Sequence, residues 1–290
     1  MTDDASILAD GPILVDAAWV HQNPTAVRAD VRWYLDGRPG RAAFDAGHLP
    51  GAIFIDLDTA LAAHPAATTP IAPSEGRHPL PTPDAFAAAM GALGIGDDDD
   101  VVAYDDSGGG TAGRLVWMLR AIGHRAALLD GGLRAWDRPQ ETGLGSVRPA
   151  ATFTVRDWPA LRLASADEVA GSRERGVALL DARSADRFRG ETEPVDPRAG
   201  HIPGARSAHW SAAFDPATGR LRSPHDLRHH FAAVGAVPGG DVIVYCGSGV
   251  SACADLVALE HAGITGAKLF VPSWSGWSAD PNRPIATGAK

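Results

Sequence analysis

Short apolar runs alternate with stretches of helical period along the whole chain. Gly11–Val15 reads as a short strand leading into a helix over Asp16–Val20. Val27–Leu35 is a strand candidate that stops at the turn dipeptide Asp36-Gly37. A turn fixed by two glycines and a proline, Gly47-His48-Leu49-Pro50-Gly51, precedes a short apolar strand over Ile53–Ile55. Residues 62–83 are rich in proline and threonine and predict an irregular surface excursion, which carries Arg77-His78-Pro79-Leu80-Pro81. Asp84–Leu93 predicts an amphipathic helix, with Pro83 and Asp84 as start signals. Val101–Tyr104 predicts a buried strand, Ala112–Ile122 a helix and Ala126–Leu129 a further strand. Residues 139–159 mix proline, glycine and threonine without a helical period and read as a linker. After it the order recurs: helix over Ala166–Arg173, strand over Val177–Asp181, helix over 225–234, strand over Asp241–Tyr245, helix over Ala254–Leu259, strand over Lys268–Val271.

The recurrence is an internal repeat. Gly-His-Leu-Pro-Gly returns as Gly-His-Ile-Pro-Gly, with His48 and His201 standing 153 positions apart. Asp105 and Cys246 stand 141 apart, as do Trp136 and Trp277, with no gap across that block. A period this long means two similar domains rather than a solenoid. Strands alternating with helices make each one an α/β domain with a mainly parallel central sheet flanked by helices. The expected boundaries are 10–142 for the N-terminal domain, 143–160 for the linker and 161–288 for the C-terminal domain.

Composition narrows the picture further. The 290 residues are 45% apolar and 21% charged, enough apolar side chain for two cores. A formal net charge of −9 without basic clusters speaks against nucleic acid as a partner. Cys246 and Cys253 are the two cysteines, too few for a disulfide framework, and they suit a reducing compartment. No Cys/His cluster has zinc spacing, and no organic cofactor is implied. The acidic start Met1-Thr2-Asp3-Asp4-Ala5-Ser6 lacks the regions of a signal peptide, and no apolar run approaches the roughly 20 residues of a membrane span. The expectation is a cytoplasmic protein with no membrane partner.

The candidate chemistry lies where the strand Asp241–Tyr245 ends. Cys246-Gly247-Ser248-Gly249-Val250-Ser251 follows it directly and leads into helix. A cysteine opening a loop between a buried strand and a helix N-terminus is placed to be a reactive thiolate, because loop N–H groups and the helix end both favour negative charge. A buried, packed cysteine is the alternative, but the two glycines that follow let backbone amides converge on one point. Ligands of such sheets bind beyond the carboxyl ends of the strands, where this loop lies. Asp105 holds the matching position in the first half, so a nucleophile exists only in the second. His48 and His201 occur in both halves and read as structural. Cys253, about two helical turns on, reads as packed, with a resolving thiol as the other possibility.

On these residues the chain resembles the two-domain rhodanese-type sulfurtransferases over nearly its whole length. The Gly-His-x-Pro-Gly-Ala turn of both halves, the strand end Asp181-Ala182-Arg183 and the closing Trp274-Ser275-Gly276-Trp277 carry the likeness. Cys246-Gly247-Ser248-Gly249-Val250-Ser251 is similar to the active-site loop Cys-Gly-Ser-Gly-Val-Thr of 3-mercaptopyruvate sulfurtransferases. Thiosulfate-using rhodaneses carry two basic residues after the cysteine, where this chain has Gly247 and Ser248. The resemblance implies that Cys246 takes a sulfur from a small anionic donor, 3-mercaptopyruvate before thiosulfate. The resulting persulfide then passes to cyanide or to a thiol such as thioredoxin or a low-molecular-weight thiol. Two half-reactions divide one difficult step.

In this reading the loop residues Gly247, Ser248, Gly249, Val250 and Ser251 surround the persulfide with N–H groups. Arg187 and Arg198 resemble the family's substrate-binding arginines and would fork around the donor's carboxylate. The segment from Arg198 to His201 is shorter here than in those enzymes, which leaves Arg189 as a substitute. The resemblance also implies a proton relay of Ser248, His78 and Asp56, with His78 and Asp56 supplied by the N-terminal half. One departure is Pro272, where the first half and the family have glycine (here Gly131); proline fixes φ and removes an N–H. Cysteine phosphatases place an arginine six residues after the cysteine, and Ala252 stands there, which argues against that class. A non-catalytic persulfide carrier remains the reading of another kind.

Overall fold

The computed structural model of the protein describes residues 11–63 and 71–289. Met1–Ser6 and residues 64–70 of the expected excursion lie outside the described residues. Two compact units emerge. One holds the described chain up to Leu61 with Pro81–Pro159 and Ala217–Arg220; the other holds the described part of Ala62–Leu80 with Ala160–Pro216 and the described chain from Leu221 on.

The first unit runs β1 (Leu14–Val15), α1 (Ala17–Gln22), β2 (Val27–Asp30), α2 (Gly40–Ala46), β3 (Ile53–Phe54), α3 (Leu57–Ala60), α4 (Pro83–Ala92), β4 (Val101–Tyr104), α5 (Ala112–Ala121) and β5 (Ala126–Leu129). Its sheet has the order β1-β5-β4-β2-β3, with every pairing parallel. Strand β2 stops short of the expected Leu35. At Asp30 the carboxylate takes the backbone N–H of Arg32 (3.1 Å) and its guanidinium (2.7 Å), and this buried pair turns the chain out of the sheet. Residues 143–159 are not a free linker. Ala151 N–H donates to Gly91 O (2.9 Å) at the end of α4, and Phe153 packs edge-on to Phe86 at 5.9 Å. Burying that ring ties the segment to the first unit.

The second unit runs α6 (Ala166–Ala170), β6 (Ala178–Asp181), α7 (Ala185–Arg189), β7 (Arg206–Ser207), α8 (Pro224–Ala233), β8 (Val242–Tyr245), α9 (Ala252–His261), β9 (Lys268–Leu269) and α10 (Ser273–Ala279). The parallel order is β7-β6-β8-β9. β8 is one of the two inner strands and all four of its residues are buried, which explains an apolar run without alternation. The fold is therefore the expected one: two α/β domains, each with a parallel sheet flanked by helices.

The repeated turn is built alike in both units. His48 Nδ1 bonds Phe44 O (2.9 Å) and His201 Nδ1 bonds Phe188 O (2.7 Å), each imidazole lying flat on that phenylalanine's ring. The turn amides of Leu49 and Ile202 donate to the hydroxyls of Tyr104 and Tyr245, both at 3.1 Å. Burial pushes the His201 pKa down, which suits a neutral ring with a fixed tautomer. These histidines hold turns.

Candidate active site

Strand β8 delivers Cys246 at its carboxyl end, and α9 begins after the loop Cys246–Ser251. Cys246 is 2% exposed. Its Sγ accepts the Gly249 N–H at 3.1 Å, and its own N–H donates to Ser273 Oγ at 3.2 Å. Trp274 N–H and Ser275 N–H donate to the carbonyls of Cys246 and Gly247, both at 2.9 Å, so the start of α10 buttresses the loop. Val250 is buried, and Ser251 stands just before α9 without a side-chain cap bond. Cys253 is fully buried and its thiol donates to Gly249 O at 3.3 Å, beneath the loop.

The matched loop of the first unit shows what such a loop holds. The Asp105 carboxylate accepts from the backbone N–H groups of Ser107, Gly109, Thr111 and Ala112 at 2.8–2.9 Å. A strand-loop-helix of this construction gathers amides around negative charge. In the second unit a sulfur stands where that carboxylate is rooted.

Ser248 is 7% exposed, and its Oγ lies 2.7 Å from His78 Nδ1. His78 sits in the part of the N-terminal half that packs with the C-terminal unit, so this contact is internal to that unit. Two glycines make the packing possible. A Cβ on Gly76, whose φ is +81°, would meet Pro272 O at 2.4 Å, and one on Gly276 would meet Ser74 O at 2.6 Å. Arg77 N–H then donates to Ser275 Oγ (3.1 Å), fixing the residue before His78.

Arg187 reaches the loop. Its Nη1 and Nη2 lie 3.6 and 3.8 Å from where a Cβ of Gly247 would stand. Nη2 also donates to Glu193 (2.7 Å) and Asp196 (3.1 Å). Arg198 does something else. Its guanidinium donates to the carbonyls of Ser278 (2.9 Å), Arg283 (3.1 Å), Trp277 (3.3 Å) and Asp280, capping the end of α10. A guanidinium spent on three carbonyls at a helix C-terminus and a fourth in the segment after it is a structural clamp. Arg189 pairs with Glu191 (2.7 Å) at the surface and does not replace it. Asp56 is likewise placed in a local role: it caps α3, its Oδ1 accepting Thr59 N–H (3.0 Å) and Oγ–H (3.1 Å).

The residue that the sequence reading missed is Arg77. Its Nη2 lies 3.0 Å from the missing Cβ of Gly247, nearer than Arg187, and its Nη1 donates to Asp196. Two guanidinium groups therefore converge on the residue after Cys246. Adjacency to His78 was the one available signal.

The rhodanese-like domain family matches residues 16–139 and 165–280. The chain belongs to the rhodanese family. It is an enzyme of the sulfurtransferase class. A relative from Pseudomonas aeruginosa, provisionally named a 3-mercaptopyruvate sulfurtransferase, is 41% identical over 91% of this chain and 93% of its own. A relative from Mycobacterium tuberculosis, SseB, provisionally named a thiosulfate sulfurtransferase, is 39% identical over 97% and 99%. Among solved structures, SseA from Escherichia coli, described as a 3-mercaptopyruvate sulfotransferase of rhodanese fold, superposes with a TM-score of 0.77. It is 30% identical and the match covers 91% of this chain and 99% of that one. No helix among the described residues is long and apolar enough to cross a membrane.

Proposed function

We propose that this sulfurtransferase takes its sulfur from 3-mercaptopyruvate, holds it as a persulfide on Cys246 and passes it to a thiol acceptor, thioredoxin or a low-molecular-weight thiol, in the cytoplasm. The observation that carries the reading is the 2.7 Å contact of His78 with Ser248, beside a loop without charged side chains and under Arg187. Breaking a carbon–sulfur bond needs a proton for the carbon that leaves; breaking the sulfur–sulfur bond of thiosulfate does not. A hydroxyl hydrogen-bonded to an imidazole supplies that proton.

The Cys246 thiolate attacks the mercapto sulfur and forms the S–S bond as the C–S bond breaks. The C–S electron pair goes to the leaving carbon as the enolate of pyruvate, which takes up a proton through Ser248 and His78. Cys246 is left as Cys–S–SH, with the Gly249 N–H at the inner sulfur. An acceptor thiolate then attacks the outer sulfur, leaving R–S–SH and the Cys246 thiolate. Arg187 holds the donor's carboxylate. Gly247, Gly249, Val250 and Ser251 shape the loop around the sulfur.

The likeness to SseB supports thiosulfate as the second reading. Turnover on both donors, by the native chain and by Cys246→Ser, separates them. The proposal expects the larger kcat/KM with 3-mercaptopyruvate and no turnover in the variant. A larger kcat/KM with thiosulfate overturns the donor, and an active Cys246→Ser overturns the nucleophile.

A further inference from the structure

The two arginines over Gly247 are tied together by one carboxylate. Asp196 presents Oδ1 to Arg77 Nη1 and Oδ2 to Arg187 Nη2, the latter at 3.1 Å. Its side chain is only 3% exposed. Glu193 takes Arg187 at 2.7 Å and Arg183 at 3.2 Å, and Arg183 is also paired with Asp181 at 2.7 Å. The charges of this cluster cancel: Arg77, Arg183 and Arg187 against Asp181, Glu193 and Asp196. A bridging carboxylate gripped by two guanidinium groups is the arrangement that a carboxylate-bearing donor would itself adopt. Arg198, held on the end of α10, offers no such group.

We infer that Arg77 and Arg187 form the donor-carboxylate fork, and that Asp196 is a resident carboxylate which the donor's own must displace. The inference rests on the proposed use of a carboxylate donor. Adding an anion to a neutral, buried cluster is costly. Donor binding therefore requires Asp196 to swing out or to take up a proton. Burial and the nearby Glu193 charge hold the Asp196 pKa above the ordinary aspartate value, which favours proton uptake. Asp196 thus weakens donor binding while keeping the two arginines aimed at Gly247.

The test uses Arg77→Gln and Asp196→Asn in the full chain, with KM and kcat for 3-mercaptopyruvate and the equilibrium binding of pyruvate as an unreactive carboxylate. Arg77→Gln raises KM and the pyruvate Kd at least about tenfold, a change of about 1.4 kcal/mol. Asp196→Asn lowers both, and flattens the rise of KM with pH. Opposite shifts from two substitutions at one cluster cannot come from loss of folding. Unchanged pyruvate binding in Arg77→Gln, or weaker binding in Asp196→Asn, overturns the inference. If the native chain binds pyruvate but forms no persulfide from 3-mercaptopyruvate, the proposed function fails instead, and the fork stands as a carboxylate site.

Discussion

Asp255, in the first turn of α9, is fully buried, and neither of its carboxyl oxygens has a hydrogen-bond partner. Burial pushes its pKa well above the ordinary 3.8, and negative charge on Cys246 and Asp181 acts in the same direction. The folded protein therefore keeps a proton that the unfolded chain has already lost. Stability contributed by that proton is complete below pH 3.8 and falls as pH rises towards the folded-state pKa. The loss amounts to about 1.4 kcal/mol per pH unit within that window. Asp255→Asn keeps the shape and removes the titration. Urea unfolding of native and variant protein at pH 5 and pH 8 gives the difference. At pH 5, little more than one unit above 3.8, the variant already leads by roughly 1–2 kcal/mol. From pH 5 to pH 8 its lead grows further, by up to about 4 kcal/mol if the window spans all three units. A stability difference that is constant from pH 5 to pH 8 would refute the reasoning, because it would mean that Asp255 has the same pKa folded and unfolded.

Substitutions at three further positions probe the loop and its supports. His78→Ala slows turnover about 10²-fold, as loss of a general acid does, while mass spectrometry still finds sulfur on Cys246; unchanged kcat removes His78 from the mechanism. Gly76→Ala forces a methyl against Pro272 O and displaces Arg77 and His78 together, so KM for 3-mercaptopyruvate rises and kcat falls; native kinetics would show that the approach of this segment to α10 is not needed. Ser273 has φ +54°, and its Oγ accepts Cys246 N–H and donates to Phe270 O at 2.9 Å. Ser273→Ala keeps the strained backbone and orphans the buried Cys246 N–H, at about 1–3 kcal/mol, while Phe270 O keeps the Ser273 N–H (3.2 Å). Ser273→Gly recovers part of that by relieving roughly 1–2 kcal/mol of strain. Thermal unfolding should rank native above Gly above Ala, and an Ala variant as stable as native contradicts the bonding.

Local signals carried most of the fold. β4 and β8 are short apolar runs bounded by polar residues, and the repeat fixed them as equivalents. The short helices α2, α7 and α10 escaped because none has a long amphipathic period, and α2 begins after Pro39 without a side-chain cap. That the segment before the second domain packs on the first was not legible, because the burial of Phe153 depends on a partner 67 positions earlier, Phe86. Pro272, the departure flagged in the sequence, is accommodated: it takes φ −58° where Gly131 has +81°, and the next residue, Ser273, matches the φ of +55° at Gly132. Cys246 and Ser248 were legible because a strand end and a glycine pattern mark them. The arginines were not. Arg187, Arg189 and Arg198 share one segment, and only tertiary geometry tells which guanidinium is already spent. Arg77 lies more than a hundred positions away, so nothing local to the loop points to it.

The central claim is that sulfur passes through Cys246. The most direct measurement treats the native chain with 3-mercaptopyruvate in the absence of acceptor, digests it and weighs the peptides that carry Cys246 and Cys253. The account predicts one added sulfur atom, located on Cys246, released on addition of a thiol and absent from Cys246→Ser. Sulfur located on Cys253, or pyruvate formed without any sulfur on Cys246, would contradict it.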